Sequence, residues 1–389
     1  MIEFGIDSIL QQNPSWKKQR IGFVTNHAAT TNTLEYSRKA LLENGFNVVC
    51  LFSPEHGLDI KGEDGAFIEN GIDTLTQLPI VSLYGKKLAP TKEDVANLDC
   101  ILFDIPDIGC RFYTYLWTLT HVLEACAKLK KPLIILDRPN PISGDLVNAE
   151  GPILNEVECN SFIGRWAMPL RHACTLGELA LFFNAKKLIG ATVEVIKCNH
   201  WQRNYFQPNW QMNFVPTSPA MQHFNAALLY PGLGLLEATN ISEGRGTQKA
   251  FEVVGAPWLQ HEIVCSIFNE LQDNVLLFPT TFIPNTSKYV NELCYGVGFT
   301  INNVATFQPV YTALLLIQLI KQLHPENFKW TTYPTLVNPN GTGHLDKLLG
   351  IENSEAIFEL PMQAFLQKIE QITFVGNWQQ TIEPYLLYE

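Results

Sequence analysis

Polar and charged side chains follow four apolar segments in the first half of the chain. They are Asn26 with His27, Glu55 with His56, Asp104 with Asp107, and Asp137 with Arg138. A proline closes three of the four segments and leaves these groups at the carboxyl end of a predicted strand. Because open α/β sheets bind ligands beyond the carboxyl ends of their strands, the pattern predicts one shared site.

Glu55 has the position of a proton donor. It follows Pro54 at the end of the apolar run 48–52, where burial would favour the neutral form of a carboxyl group. Glycoside hydrolysis usually needs a second carboxyl group, which acts on the other face of the sugar. The candidates for that second group are Asp104, Asp107, Asp137, Glu237 and Glu243.

Basic and aromatic side chains close to these motifs could bind a substrate. The arginines are Arg111, Arg138, Arg171 and Arg245. Each guanidinium could hold an anionic substituent through two parallel hydrogen bonds. The aromatic residues are Tyr113, Tyr115 and Trp117. They could present a surface to a sugar ring, although their place on a predicted helix also fits the core.

Three other chemistries have weaker support. The residues with suitable metal-ligand atoms are His27, His56, His172, Asp104 and Asp137. No pair has the HExxH spacing of zinc hydrolases, so no metal is predicted. GxSxG is absent, as is GxGxxG after the first strand, which argues against a serine nucleophile and a dinucleotide cofactor. A non-catalytic two-domain protein that closes on a sugar or peptide is the alternative from a different class.

Strands and helices alternate in the part of the chain that carries these residues. Strands are predicted at 20–27, 48–52, 79–85, 100–104, 132–136 and 191–197. Helices are predicted at 33–44, 113–130 and 176–189, with Thr33 and Thr175 as caps and Glu178 completing a capping box. This alternation predicts an α/β fold with a mostly parallel sheet and right-handed crossovers.

The second half of the chain is predicted to form a smaller α+β domain. Asn, Gln and Pro are frequent over 208–219, which places the boundary near Met221 and gives domains 1–221 and 222–389. Glycines among short polar residues predict a substrate loop over 237–247. Further elements are predicted as helices at 257–271 and 309–323, strands at 275–282 and 295–301, and a helical C-terminal portion packed on the second domain.

Composition excludes several classes of partner. The net charge of −11 disfavours a nucleic-acid partner, and no apolar run approaches the roughly 20 residues of a membrane span. The nine cysteines lack CxxC spacing and are predicted to be reduced and structural. The first residues do not resemble a signal peptide, which predicts a cytoplasmic protein; a periplasmic or secreted location is the alternative if a leader was removed.

Several segments resemble the exo-β-N-acetylmuramidase family, glycoside hydrolases of peptidoglycan recycling that were long described as a domain of unknown function. The segments are 53–57 (SPEHG), 104–115 (DIPDIGCRFYTY), 136–141 (LDRPNP), 239–247 (TNISEGRGT), 255–258 (GAPW) and 385–388 (YLLY). They occur in family order and span nearly the whole chain. The resemblance implies a Rossmann-like N-terminal domain, a C-terminal auxiliary domain and an active site in the cleft between them.

The resemblance also implies an activity. The family releases N-acetylmuramic acid from the non-reducing end of peptidoglycan-derived saccharides, without a nucleotide or metal cofactor. The implied partner is a small saccharide with an anionic lactyl group, whose carboxylate needs a cation. By resemblance, Glu55 is the catalytic acid, and Glu243 with Arg245 lines the same cleft from the second domain.

Together, the residues and the resemblance predict two sets of site residues. The catalytic candidates are Glu55, Asp104 and Glu243. The substrate-binding candidates are Asn26, His56, Arg111, Tyr113, Asp137, Arg138, His172, Asn240 and Arg245. No oligomeric state is predicted.

Overall fold

The computed structural model describes residues 1–63 and 65–389, and two sheets organise them. Within these residues the larger sheet has seven strands. They are β1 (Ile21–Thr25), β2 (Val48–Ser53), β3 (Gly71–Ile72), β4 (Pro79–Ser82), β5 (Cys100–Asp104), β6 (Leu133–Leu136) and β7 (Val193–Ile196). Their order across the sheet is β3-β4-β2-β1-β5-β6-β7.

The strand pairing confirms the predicted mostly parallel α/β fold. Strand β1 pairs in parallel with both β2 and β5, and only the short edge strand β3 is antiparallel among the described strands of this sheet. The strand order therefore reverses at β1, as in doubly wound folds. The loops that leave the carboxyl ends of β1, β2 and β5 consequently emerge beside one another.

Helices of six residues or more connect or follow the strands. Those in the described residues are α1 (Gly5–Leu10), α2 (Ser37–Glu43), α3 (Tyr115–Leu129), α4 (Leu176–Lys186), α5 (Phe224–Leu233), α6 (His261–Leu271), α7 (Pro309–Leu323), α8 (His344–Leu349) and α9 (Met362–Thr373). A five-residue helix, α10 (Trp378–Ile382), follows, and short 3-10 helices occur between several elements.

One of the two predicted helix caps is confirmed and the other is wrong. Thr175 begins α4 as predicted: its Oγ1 accepts a hydrogen bond from the backbone of Glu178, whose carboxylate accepts one from the backbone of Thr175. Thr33 does not cap α2, because residues 31–35 form a separate turn closed by the bond from Thr31 N to Glu35 O at 2.8 Å. The helix therefore starts at Ser37.

The smaller sheet lies in the second half of the chain. It consists of β8 (Val253–Ala256), β9 (Val275–Phe282) and β10 (Cys294–Ile301), in the order β8-β10-β9 and antiparallel throughout the described residues. Strand β9 spans the predicted residues, and Pro279 is tolerated within it because β9 is an edge strand. Helix α7 also has its predicted bounds.

Alternate residues of the larger sheet pack into two different cores. Phe23 and Leu102 point into a core on one face of the sheet, shared with the N-terminal residues around Ile6. Val24 and Phe103 point into a larger core on the other face. That second core is continuous with the buried side of α7, so apolar packing joins the two halves of the chain.

The C-terminal residues correct one prediction. They follow α10 and a 3-10 turn, and they pack on the first half of the chain rather than on the second domain. Tyr388 donates a hydrogen bond to Asp137 at 2.7 Å, and the backbone N–H of Leu387 donates one to Glu178 at 3.0 Å. The prediction is confirmed for α9, which is helical and packs against α7. It was wrong for these last residues because apolar spacing does not identify which distant polar groups a segment will reach.

All nine cysteines are free and buried, as the prediction of reduced, structural thiols requires. Burial raises the pKa of several of these thiols, including Cys50 to about 12 and Cys265 to about 11. They are therefore unreactive at neutral pH. No helix in the described part of the chain combines the length and apolar character needed to cross a membrane.

Candidate active site

Glu55 lies in the loop that leaves β2 and is 7% exposed. Its Oε1 accepts a hydrogen bond from the backbone N–H of Gly65 at 3.0 Å. Its Oε2 accepts one from the hydroxyl of Thr114, at the start of α3, at 2.5 Å. Donors from two separate segments therefore fix the orientation of this carboxyl group.

His56 shapes the loop that carries Glu55. Its backbone is left-handed, with φ at +66°, and Nδ1 lies 2.7 Å from the carbonyl oxygen of Gly62. Gly62 N–H donates in return to the carbonyl of His56 at 3.1 Å. These two contacts close the loop over residues 56–62, while the imidazole also lines the pocket that contains Glu55.

Aromatic rings form one wall of this pocket. Tyr230 meets Phe112, Tyr113 and Phe251 edge to face, with ring centroids 5.0, 5.9 and 4.6 Å apart. The hydroxyl groups of Tyr113 and Thr217 lie 2.6 Å apart. The rings come from both halves of the chain, so their packing fixes the position of one half against the other.

A row of charged side chains lies beside this aromatic wall. Arg245 Nη2 donates to Glu237 at 2.8 Å. Its Nε lies 3.2 Å from Glu243 Oε1, close enough for an ion pair although the N–H is not aligned for a hydrogen bond. Lys288 binds the other oxygen of Glu243 at 2.9 Å, and His344 Nε2 lies 3.4 Å from Glu237. Arg245 also lies over the Phe251 ring, 4.8 Å from its centroid.

This row determines the protonation of Glu237. Burial by itself would raise the pKa of Glu237, but the charge of Arg245 and the hydrogen bond from His344 outweigh it and hold the pKa at about 2. Glu237 is therefore a carboxylate at neutral pH. It lines the same pocket as Glu55, so one pocket presents two carboxyl groups with different surroundings.

The pocket is built from both halves of the chain. Glu55, His56, Tyr113 and Thr114 line it from the first half. Glu237, Arg245, Tyr333 and His344 line it from the second. The structure thus brings together four of the twelve predicted site residues, namely Glu55, His56, Tyr113 and Arg245, and one further carboxyl candidate, Glu237.

The structure does not bring Asp104 to this pocket, which corrects its predicted catalytic role. Asp104 is fully buried and forms a bidentate ion pair with Arg138, one contact of which is 2.9 Å. Arg138 also donates to the carbonyl of Thr30 at 2.7 Å. Neither residue lines the pocket that contains Glu55, and their ion pair instead joins the end of β5 to the segment that follows β6.

Asp137 is likewise placed apart from Glu55. Its carboxylate accepts hydrogen bonds from Thr175 at 2.7 Å, Gly177 N–H at 2.8 Å and Tyr388 at 2.7 Å. Burial raises its pKa to about 6 in spite of these donors. The predicted substrate-binding residue therefore anchors α4 and the C-terminal residues.

Arg111 also has a structural environment. Its guanidinium is fully buried and donates to the carbonyls of Pro152 at 2.7 Å, Met168 at 3.1 Å and Leu348 at 2.8 Å. Burial lowers its pKa to about 10, which leaves it charged at neutral pH. Arg111 thus joins three chain segments instead of facing a substrate carboxylate.

Four further predicted residues lie outside the set that lines the pocket. Buried His172 contacts Asp107 at 3.1 Å through Nε2. Asn26 Oδ1 accepts from Ala28 N–H at 3.0 Å. Asn240 bonds to the backbone of residues 327 and 329, at 2.8 Å in each case. Glu243 lies beneath Arg245 and is 1% exposed, so it positions that arginine instead of facing the pocket.

The sequence did not identify some of the pocket residues and did not separate others from alternative candidates. Thr114 lies within segment 104–115, which resembles the family, but no sequence pattern predicted its contact with Glu55. Glu237 was one of five candidates, and only the fold separates it from the others. Tyr333 and His344, whose rings stack 4.7 Å apart, flank a segment without strand or helix periodicity. Within the described residues, no group of three or more His, Cys, Asp or Glu is arranged to hold a metal ion.

Comparison with known protein families decides the family of this chain. The model for the N-terminal domain of the exo-β-N-acetylmuramidase NamZ matches residues 21–225, and the model for its C-terminal domain matches residues 228–388. The chain belongs to this family. The chain is also 37% identical, over 400 aligned residues, to the peptidoglycan β-N-acetylmuramidase NamZ of Bacillus subtilis (strain 168), covering 100% of this chain and 91% of that protein.

Two crystal structures of DUF1343 family proteins from Bacteroides fragilis NCTC 9343 have the same fold. Both are 27% identical to this chain, and each match covers 100% of it and 99% of the other protein. The TM-scores are 0.88 and 0.73. The NamZ family fold is therefore a Rossmann-like sheet followed by a smaller domain, and the pocket described above lies where the two meet.

Proposed function

We propose that this protein is an exo-acting glycoside hydrolase that releases N-acetylmuramic acid from the non-reducing end of peptidoglycan-derived saccharides. Membership of the NamZ family supports this activity. The single observation that supports it at the residue level is that Glu55 and Glu237 line one pocket in different surroundings. Glycosidic bond cleavage usually uses two carboxyl groups that have different roles.

In the proposed mechanism Glu55 protonates the oxygen of the departing sugar. Thr114, 2.5 Å away, keeps the carboxyl group directed into the pocket in either protonation state, because a hydroxyl can donate to a carboxylate or accept from a carboxylic acid. Glu237 stays ionised and stabilises the positive charge that develops on the sugar ring. Arg245 is the proposed partner of the lactyl carboxylate, since its guanidinium borders the same space.

Substitution of Glu55 tests this proposal. Purified protein should release the chromophore from a chromogenic N-acetylmuramic acid glycoside much faster than from the N-acetylglucosamine analogue. Glu55→Gln should lower kcat by about a hundredfold or more, because general acid catalysis contributes that much, and should leave substrate binding nearly unchanged. Glu43→Gln, which changes an exposed carboxylate paired with Lys39, is the matched control.

The alternative function is non-catalytic sugar binding. It would be supported if the folded wild-type protein bound the glycoside without hydrolysing it and if Glu55→Gln kept the same affinity. Hydrolysis by wild type that Glu55→Gln leaves intact would instead remove Glu55 from the mechanism.

A further inference from the structure

A second, roomier pocket adjoins the one that contains Glu55. Its volume is about 640 Å³, whereas the inner pocket encloses about 70 Å³. The two share Ala220, Arg245 and Tyr333 as lining residues. A saccharide that entered the inner pocket with one terminal sugar would therefore extend its next sugar toward this outer pocket.

The lining of the outer pocket is polar and mostly uncharged. The neutral hydrogen-bonding residues are Thr247, Gln248, Asn285, Thr286 and Ser287. Of the lining residues that the structure describes, Glu63 and Arg245 carry charge, and Arg245 is already paired with Glu237 and Glu243. Amide and hydroxyl groups of this kind complement the hydroxyl and acetamido groups of an uncharged sugar.

Two loops that form this wall are fixed to each other by their backbones. Gly246 has φ at +78°, and its carbonyl accepts a hydrogen bond from Asn285 N–H at 2.9 Å. A Cβ at Gly246 would lie 2.5 Å from the backbone nitrogen of Thr286, so only glycine allows this approach. The exposed side chains of Asn285, Thr286 and Ser287 are thus presented from a rigid backbone.

Lys288 connects the same wall to the catalytic pocket. It follows Ser287 directly and reaches inward, where Nζ donates to the carbonyls of Leu236 and Ile241 at 2.8 and 2.9 Å. It also binds Glu243, which contacts Arg245. The outer wall and the charged side of the inner pocket are therefore one connected unit.

We infer that the outer pocket is the subsite for the leaving sugar, and that its neutral hydrogen-bonding side chains select an uncharged sugar there. This inference rests on the proposed function, because it assumes that the inner pocket holds the muramic acid residue. The amide of Asn285 and the hydroxyl of Ser287 bind the leaving sugar. They contact the sugar on the far side of the scissile bond and not the N-acetylmuramic acid residue in the inner pocket.

Two substrates distinguish this role from the catalytic one. The first is the disaccharide of N-acetylmuramic acid β-linked to N-acetylglucosamine, and the second is an aryl glycoside of N-acetylmuramic acid, which has no second sugar. The double variant Asn285→Ala/Ser287→Ala should lower kcat/KM for the disaccharide about tenfold, from the loss of two hydrogen bonds. Its kcat/KM for the aryl glycoside should change by less than twofold.

Gly246→Ala provides a second variant, because it displaces the wall without removing a polar side chain. It should also lower kcat/KM for the disaccharide more than for the aryl glycoside. The control is Gln379→Ala/Gln380→Ala, which removes two exposed amides from α10, outside both pockets. It should leave both substrates unaffected.

The outcomes separate the two proposals. An equal fall on both substrates, or no fall on the disaccharide, in folded Asn285→Ala/Ser287→Ala would overturn the subsite. Failure of the folded wild-type protein to hydrolyse either substrate would instead contradict the proposed function.

Discussion

At the scale of single residues, Thr114 connects α3 to the carboxyl group of Glu55. The hydroxyl and Oε2 are 2.5 Å apart, and Thr114 is buried. A buried hydrogen bond to an ionised group contributes more than one between neutral groups. The threonine therefore positions the carboxyl group of the proposed acid, although it is not itself expected to react.

Thr114→Val should reduce kcat roughly tenfold, because the isosteric side chain keeps the packing but removes the hydroxyl. The measurement is kcat with the chromogenic N-acetylmuramic acid glycoside. Thr114→Ser should restore kcat because it keeps the hydroxyl, and an unchanged kcat in folded Thr114→Val would contradict a role through Glu55.

At the same scale, the sequence predicted which charged residues lie at strand ends better than it predicted the partner of each one. Glu55 and Arg245 were expected at one cleft, and they line one pocket. Asp104 and Arg138 satisfied the same criterion of strand-end position, yet they bind each other. Sequence position places a side chain at an edge of the sheet, but it does not determine which opposite charge lies within reach.

At the scale of elements, local chemistry predicted several boundaries. The capping box at Thr175, the proline that starts α7 and the alternation of β9 each act within a few residues, so the sequence displays them directly. The C-terminal residues depend on contacts with groups about 200 positions away, and those were not predictable. Their attachment to Asp137 therefore depends on the complete fold and not on the local sequence.

Tyr388→Phe tests that attachment. It removes the hydroxyl that donates to buried Asp137 at 2.7 Å and keeps the aromatic ring, which lies 5.0 Å from that of Trp201. Above pH 7, where Asp137 is ionised, the free energy of unfolding should fall by about 2 kcal/mol, as expected for a hydrogen bond to a charged group. Urea denaturation provides the measurement.

Tyr385→Phe is the control for this variant, since its ring packs against Phe182 with centroids 5.5 Å apart. It should change the free energy of unfolding by much less than Tyr388→Phe. Equal effects of the two substitutions would show that the hydrogen bond to Asp137 does not hold the C-terminal residues.

At the scale of the whole molecule, Glu150 joins the two halves of the chain. Its carboxylate accepts hydrogen bonds from the first backbone N–H groups of α7, at Val310 (3.0 Å) and Tyr311 (2.6 Å). Nearby Arg171 donates to the carbonyl of Phe307 at 3.0 Å, just before the same helix. These contacts orient α7 and, through the shared core, the two sides of the active-site pocket.

The pH dependence of stability should report on Glu150. Burial raises its pKa to about 7, above the ordinary value of 4.5, so the folded chain binds this proton more tightly than the unfolded chain does. The contribution of Glu150 to the free energy of unfolding should therefore decrease as the pH rises from about 4.5 to about 7. Glu150→Gln should reduce this decrease by about 1 to 3 kcal/mol, measured by urea denaturation at pH 5 and pH 7.5.

Asp137, whose pKa of about 6 is raised in the same direction, contributes a change of the same sign, whereas His121, whose pKa burial lowers to about 4, contributes a change of the opposite sign. The difference between Glu150→Gln and wild type, and not the total change, therefore reports on Glu150. Glu370→Gln, an exposed change on α9, should behave as the wild type. If Glu150→Gln and wild type lost stability in parallel between the two pH values, ionisation of Glu150 would not be the cause.

The row Lys288, Glu243, Arg245 and Glu237 alternates in sign at three consecutive contacts. Removing one buried member leaves its neighbour charged and unmatched, which costs about 3 to 5 kcal/mol, whereas exchanging a complete pair costs far less. We therefore expect substitutions at these positions to occur in pairs during evolution. Among NamZ relatives, a homologue without the lysine is expected to have lost the glutamate as well, so that an alignment would reveal the row as correlated columns.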